Sequence, residues 1–427
     1  MNKLILAIFL FTFEKNQIMK YILSILCISF FITCLSQVPA KDKAVFEKYL
    51  PGYFENIILK DASQKEVVSE HKNENRYFKV DLTGQTFPND KKLYTEIWHQ
   101  KPVCQGNSGT CWCYATTSFM ESEVKRISNI EVKLSEMYTV YWEYVDRAQE
   151  FVKTRGNTSF SEGSEAAAIP RIWDKYGIMP YSVYDGKPHE RNFNSHRKMV
   201  EQMTAFLNKT KETCQWNEEF VVKEIKSILD AEMGSPPEKF TFNNKEYTPQ
   251  TFLKDFLKLK MIDYFNFMST SEVKFFEKHE LVEADNWWHC NNYYNIPVDD
   301  FMSLIKSSLK NGYSVCICGD ISEPGYDNQT QVAVIPSFDI PKSQIDDNSR
   351  QLRLSNGTTT DDHCIHMVGY YEKNNEDWYL IKDSNGGAYD GACKGYRFFR
   401  DDFVKLKMMN IMIYKEAGKS ILDKIIK

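Results

Sequence analysis

The stretch Gln105-Gly106-Asn107-Ser108-Gly109-Thr110-Cys111-Trp112 constrains the fold most, because it joins a Gly-containing polar loop to the start of an amphipathic run. From there Trp112, Ala115, Phe119, Val124 and Ile127 recur near helical spacing, which predicts a helix beginning at Cys111. A cysteine at a helix N-terminus sits where the dipole favours thiolate over thiol. Gln105, six residues earlier, can fold back over the loop. Its side-chain amide and the Cys111 N–H then converge on one carbonyl oxygen, as an oxyanion site requires. The other reading of a single cysteine is a buried packing thiol. The Gln, the Gly loop and the following Trp favour the nucleophile.

A thiol nucleophile needs a base and a group to orient it. Asp361-Asp362-His363-Cys364-Ile365-His366-Met367-Val368-Gly369-Tyr370 is a polar turn leading into an apolar run, as where a strand begins just after a functional residue. Trp378-Tyr379-Leu380-Ile381-Lys382-Asp383-Ser384-Asn385-Gly386-Gly387 is a second strand pattern ending in a polar, Gly-rich turn. The short connection between them suits a hairpin, which sets His363 and Asp383 side by side. His366 is a competing base. It lies an odd number of residues from His363, so in a strand the two face opposite sides. His363, at the strand mouth rather than inside the apolar run, is the better candidate.

These blocks resemble the papain-like cysteine peptidases: Gln-x5-Cys-Trp, a His followed six residues later by Gly, and a strand ending in Lys-Asp-Ser. Within them the chain is most similar to the bleomycin hydrolase/aminopeptidase C branch. His363 follows Cys111 by about 250 residues, against some 130–150 in papain, so an insertion of about a hundred residues is implied. Lys175-Tyr176-Gly177-Ile178-Met179-Pro180-Tyr181-Ser182-Val183-Tyr184 resembles the branch's Lys-Tyr-Gly-x-Val-Pro-x-Ser-Val-Tyr block. Gly234-Ser235-Pro236-Pro237-Glu238-Lys239-Phe240-Thr241-Phe242 resembles its Gly-Thr-Pro-Pro-x-x-Phe-Thr-Trp block. The resemblance implies Cys111 as nucleophile, His363 as its base, Asp383 as the orienting group and Gln105 as the oxyanion donor. It also implies peptide or protein substrates, no cofactor, and a homo-oligomer of the kind that branch forms.

The departures are informative. Where papain carries a disulfide-forming Cys the chain has Ser108, as in the hydrolase branch. The family's Asn after the catalytic His is Asp383, and the Trp expected two residues later is Asn385. Asp can still accept the imidazole N–H and holds an imidazolium more strongly than an amide does. Losing the Trp predicts a hydrogen bond less shielded from water. Where papain-like enzymes pair a Gly-Gly backbone with substrate, this chain reads Glu162-Gly163-Ser164, so Gly163 and Ser164 are the candidate substrate-binding pair. The same tripeptide reads equally as an ordinary loop.

With 427 residues, 42% of them apolar, the chain can fill two or three packed lobes. A net charge of −5 without a dense basic stripe gives no support for nucleic-acid binding. The apolar runs 4–13 and 21–36, the second behind Met19-Lys20, fit a signal peptide cleaved after Ser36, with Met19 as an alternative start. The expected destination is therefore export, without a stable membrane anchor. A lipoprotein at Cys34 is the weaker reading, since Thr33 is a poor neighbour for an acylated Cys. Besides Cys111, eight cysteines remain beyond that segment for pairing: Cys104, Cys113, Cys214, Cys290, Cys316, Cys318, Cys364 and Cys393. Cys316 and Cys318 alternate along a strand run and read as packed thiols, and Cys111 and Cys113 are too close to bridge. The spacing His363-Cys364-His366 matches no usual zinc pattern, so no metal site is expected.

The fold expected is α+β, a papain-like pair of lobes, one mainly α and one β-barrel-like, with a helical insertion. Residues 37–90 read as a polar leader with a helical start, Lys41–Lys48 being a solvated helix face. The α lobe spans 91–190 and the insertion 191–300, with helical spacing over Phe220–Glu232 and Thr251–Phe265. The β lobe, 301–427, begins with a helix at Val298–Asn311 and ends in a basic amphipathic tail, Lys415–Lys427. That tail can cover apolar surface or thread the cleft. The tail looks shorter than that of the bleomycin hydrolase branch, so the non-primed side is expected to be at least partly open, with internal peptide bonds cut. Aminopeptidase action, with the Lys427 carboxylate on the substrate's ammonium, is the alternative. Two further readings stay open: acyl transfer to amines on the same triad, and a catalytically silent peptide-binding or adhesive protein.

Overall fold

The structure is a computed structural model and describes residues 41–62, 76–187, 191–373 and 375–425. The apolar runs within 1–36 and the terminal Lys427 lie outside the described residues. Among those described, no helix is long and apolar enough to cross a membrane.

The run behind the Gly loop forms helix α1, Cys111–Ser128, which stops at Asn129 in the left-handed region with φ 53°. Helix α2, Glu136–Lys153, starts where the Ser135 side chain accepts the Tyr138 N–H. Helix α3 is Ala168–Tyr176. Trp112, Phe119, Val124, Met137, Tyr144, Ile169 and Trp173 bury one apolar face each and meet in a single core. Helices α4, Arg197–Glu212, and α5, Glu218–Met233, dock on that core through one residue per turn. These are Met199, Met203 and Leu207 on α4 and Val221, Ile225 and Leu229 on α5.

The second lobe is built on a ten-stranded sheet. Its main strands are β1 Tyr264–Met268, β2 Tyr293–Asn295, β3 Val315–Gly319, β4 His363–Lys373, β5 Glu376–Lys382, β6 Tyr396–Arg400 and β7 Met408–Tyr414. Their order across the sheet is β6-β5-β4-β3-β7-β1-β2. β4 and β5 pair antiparallel as the expected hairpin, with His366 opposite Lys382. Helix α6, Val298–Lys310, covers one face, and Phe267, Ile317, Ile365, Ile381, Phe399 and Ile411 join its apolar stripe in a second core. α1 packs on the other face: Ser118 bonds His366 Nδ1 at 2.8 Å and Thr116 Oγ1 lies 3.3 Å from the Cys316 sulfur. The start of α1 and the mouth of β4 are thereby brought together.

Three expectations change. Residues Ala44–Lys48 form a strand, not a helix, paired antiparallel with Arg76–Val80; Phe46 packs edge-on to Phe78 with ring centres 5.4 Å apart. Helical structure after Pro249 ends at Leu257, and Lys258 turns left-handed at φ 58°. The aromatic alternation Tyr264-Phe265-Asn266-Phe267 then enters the sheet as β1, beside β7. The insertion is therefore helical in α4, α5 and the turn after Pro249, and then contributes strands β1 and β2 to the sheet. Cys318 is not a packed thiol but is disulfide-bonded to Cys364, its direct neighbour across β3 and β4. Cys316, two residues back along β3 and on the same face, remains a buried free thiol against Thr116 of α1.

The described part of the tail forms helix α7, Lys419–Ile425. Ile421 and Leu422 are buried in the second core, near Phe267 and Ile413, so this segment covers apolar surface. Truncation after Glu416 is expected to cost roughly 2–5 kcal/mol from the two lost aliphatic contacts. Discrimination between free and acetylated peptide N-termini is expected to stay the same. Thermal melts and paired peptide assays check both; a gain of activity on acetylated peptides would make the tail a gate.

Candidate active site

Cys111 is the first residue of α1 and half-buried, and the Gln105 side chain folds back along the preceding loop to the Ser108 carbonyl. The loop between them needs its glycine: Gly106 has φ 73°, and a Cβ there would strike the Asn194 backbone oxygen. Gln105 is pinned at both ends of its amide. Its Oε1 accepts from Ser384 Oγ at 2.7 Å, and its Nε2 donates to the Ser108 carbonyl at 2.7 Å. Its backbone N–H donates to the Ser384 carbonyl at 2.9 Å. An amide nitrogen carries two hydrogens, so one remains for a further acceptor. The Cys111 N–H belongs to the first helical turn, which has no intrahelical acceptor.

His363 Nε2 lies 2.8 Å from Asp383 Oδ1, and its ring also hydrogen-bonds the Cys111 thiol. Burial opposes the charged imidazole. The Asp383 carboxylate and the Cys111 sulfur outweigh it and push the imidazolium up to about 10. His366, by contrast, is enclosed behind α1, and burial with the Lys382 charge drives it well below its ordinary value. It cannot exchange protons with Cys111 from there. Cys113 points into the α-lobe core, its sulfur 3.2 Å from the Glu136 carbonyl.

The pair His363–Asp383 is not exposed by the absence of a Trp. The two side chains are 3% and 0% exposed. What encloses them was not legible as a site. Arg397 on β6 is itself fully buried and places Nε 2.8 Å from Asp383 Oδ2. Its guanidinium stacks 4.2 Å from the Tyr326 ring centre and donates to Asn328 Oδ1 at 2.8 Å. The Tyr326 hydroxyl donates to the same carboxylate oxygen at 3.3 Å, and the Asn385 N–H donates to Oδ1 at 2.8 Å. Burial alone favours a neutral Asp383. His363, Arg397 and the Asn385 N–H overcome it and hold the carboxyl well below the ordinary range. Asp383 plus Arg397 is a net-neutral unit, which is how a carboxylate can occupy a position where an amide would otherwise sit.

Gly163 lies on a loop tied by Arg147, whose guanidinium donates to the carbonyls of Gly163 at 2.5 Å, Ser159 at 2.8 Å and Ser161 at 3.1 Å. The Ser164 hydroxyl turns inward to Glu143 Oε1 at 2.7 Å, so its side chain serves the lobe and not the surface of the loop. Glu162 braces the nucleophile loop: its carbonyl accepts from Trp112 Nε1 at 3.1 Å and its carboxylate from the Gly109 N–H at 2.6 Å.

The sequence matches the model of the Peptidase C1-like family over residues 52–159 and 157–424. The chain belongs to that family. It is similar to aminopeptidase C of Lactococcus lactis subsp. cremoris, 22% identical over 85% of this chain and 88% of the relative. It is similar also to the bleomycin hydrolase of Mus musculus, 21% identical over 74% of this chain and 80% of the relative. Among solved structures, PepW from Lactobacillus rhamnosis HN001 superposes with TM-score 0.63 at 20% identity, covering 78% of this chain and 83% of that one. The fold is thus papain-like and α+β, and this Peptidase C1-like protein is a cysteine peptidase.

Sequence reasoning missed Arg397, Tyr326, Asn328 and Ser384. One signal was present: an Asp in place of Asn inside a buried hairpin calls for a nearby cation. Arg397, between Tyr396 and Phe398 in an apolar strand, was the unexplained charge.

Proposed function

We propose that the chain hydrolyses peptide bonds with Cys111, His363, Asp383 and Gln105. The observation that carries this reading is His363, bonded to Asp383 on one side and to the helix-N-terminal Cys111 on the other. The imidazole holds the thiol's proton, so the sulfur attacks the scissile carbonyl as thiolate. The oxyanion that forms is met by the Cys111 N–H and the spare N–H of Gln105 Nε2. His363 then gives its proton to the departing amine, leaving a thioester on Cys111. Water, deprotonated by the same imidazole, attacks the thioester; the acid product leaves and the thiol–imidazole pair is restored. Asp383 keeps the ring in the orientation that serves both steps, and the Gly163 loop is placed to line the approach of the substrate backbone.

Incubation with a thiol-directed epoxide tests the assignment. One equivalent on the Cys111 peptide, with parallel loss of hydrolysis, is the expected result in mass spectra. No label on Cys111 would leave a papain-fold binding protein instead. We read the chain as exported as well: the Cys318–Cys364 bridge suits an oxidising compartment and accords with residues 1–36 as a signal. Fractionation of cells expressing the full chain is expected to find it outside the cytosol, and a solely cytosolic pool would overturn that.

A further inference from the structure

We infer that a buried carboxylate cluster beside His363 receives a cationic group of the substrate; this rests on the peptidase reading above. Glu165, two residues beyond Gly163, and Asp361, two residues before His363, hydrogen-bond one another from opposite lobes. Asn410 on β7 sits between them, its Nδ2 2.8 Å from Asp361 Oδ2 and 3.3 Å from Glu165 Oε2. Asp285 and Glu283, from the insertion, add their charges to both. The Asp285 carboxylate lies against the Gly163 α-carbon, where a Cβ would have no room.

Two further observations separate this from an ordinary acidic patch. Asn410 is 0% exposed, and its Oδ1 has no hydrogen-bond partner although its amide points between the two carboxyls. Glu165 is 1% exposed, and its Oε1 is likewise unpartnered. Both open atoms are acceptors, so the missing partner is a donor. Among the described residues no Lys or Arg comes within 4 Å of any of the four carboxylates. Arg147 is the basic side chain whose charge reaches Asp285, and its N–H groups are committed to the Ser159, Ser161 and Gly163 carbonyls. Burial, and after it the neighbouring carboxylates, raise Glu165 to about 8 and Asp361 well above its usual value, and an incoming cation relieves the second of these costs. The two sulfurs near Glu165, those of Cys318 and Cys364, are tied in a disulfide and offer no thiolate to a metal.

Asp361 precedes His363 by two residues and Glu165 follows Gly163 by two, so the cluster flanks both the base and the candidate substrate loop. A peptide chain running past Gly163 meets Asp285 in its path. An ammonium or guanidinium at that point satisfies the open acceptors, and it can come from the substrate's own N-terminus or from a Lys or Arg side chain.

The test uses the full chain and four fluorogenic substrates sharing one scissile residue. Two are dipeptidyl, acetyl-Lys and acetyl-norleucine forms; two are single-residue, with free and acetylated N-termini. Wild type is expected to favour the cationic member of at least one pair in kcat/KM by about 10- to 100-fold. Glu165→Gln/Asp361→Asn should bring that ratio close to one, chiefly through KM. Asp285→Asn, on a half-exposed loop and therefore safe for folding, should lower the same ratio. A fall in the Lys/norleucine ratio assigns a side chain, and a fall in the free/acetylated ratio assigns the α-ammonium. Equal rates within both pairs in wild type, or variants that slow all four substrates alike, overturn the inference. Absence of hydrolysis together with an unlabelled Cys111 would instead refute the peptidase reading beneath it.

Discussion

Asp383→Asn is expected to unfold well below the wild-type temperature, and Arg397→Met added to it should recover most of the loss. The single change keeps the shape of the side chain and removes its charge. It leaves the Arg397 guanidinium buried with no counter-ion, a situation that costs about 3–5 kcal/mol when one member of a buried pair is deleted. Removing the second charge removes the penalty, and Met fills the space along Tyr326 with an unbranched apolar chain. The double-mutant cycle, read from denaturant or thermal unfolding, therefore predicts strong coupling between positions 383 and 397. The pH dependence has a definite sign. Asp383 titrates lower in the folded protein than unfolded, so its contribution is present above about 4, its unfolded range, and fades as pH falls. His363 titrates higher, at about 10, so its contribution is complete below its unfolded value of roughly 6.5 and is lost as pH rises through 10. In the double variant the imidazolium loses the carboxylate. The alkaline limb of kcat/KM should then move to lower pH while activity persists. Equal stability of the single and double variants would remove Arg397 from the site.

That coupling also marks where sequence stopped being sufficient. Helix α1, the β4–β5 hairpin and the pairing of His363 with Asp383 were legible because each rests on local periodicity and a short turn. The strand at Ala44–Lys48 was not: its Lys and Glu suited a solvated helix, and only pairing with Arg76–Val80, about thirty residues away, makes it extended. Tyr264–Met268 failed in the same manner, since its apolar spacing continues that of the preceding helix and its neighbour β7 lies far along the chain. Cys318–Cys364 depends on register between β3 and β4, which a composition count of cysteines does not contain. Glu165, Asp361 and Asn410 come from three separate segments. Each alone reads as a surface polar residue, and their chemistry exists only after the lobes close.

Cys111→Ala is expected to lower kcat by about 10⁴- to 10⁶-fold, the scale set by deleting a nucleophile from a triad. Stability should hardly change, because the position is half-buried in the first turn of α1 and alanine is the best helix former. Losing the Cys111 sulfur also takes one hydrogen bond from His363, so the imidazolium should titrate lower in this variant. An NMR titration of the His363 ring reads that shift in a protein that turns nothing over. Cys113→Ala gives the opposite pattern. That sulfur is fully buried and bonded to the Glu136 carbonyl, so its loss leaves a small cavity and one hydrogen bond fewer, together about 1–3 kcal/mol. Its effect on kcat should be minor, because the side chain points into the α-lobe core and away from His363. The two cysteines thus separate chemistry from packing within one helical turn. Should Cys113→Ala silence the enzyme while Cys111→Ala leaves it active, the nucleophile has been placed on the wrong residue.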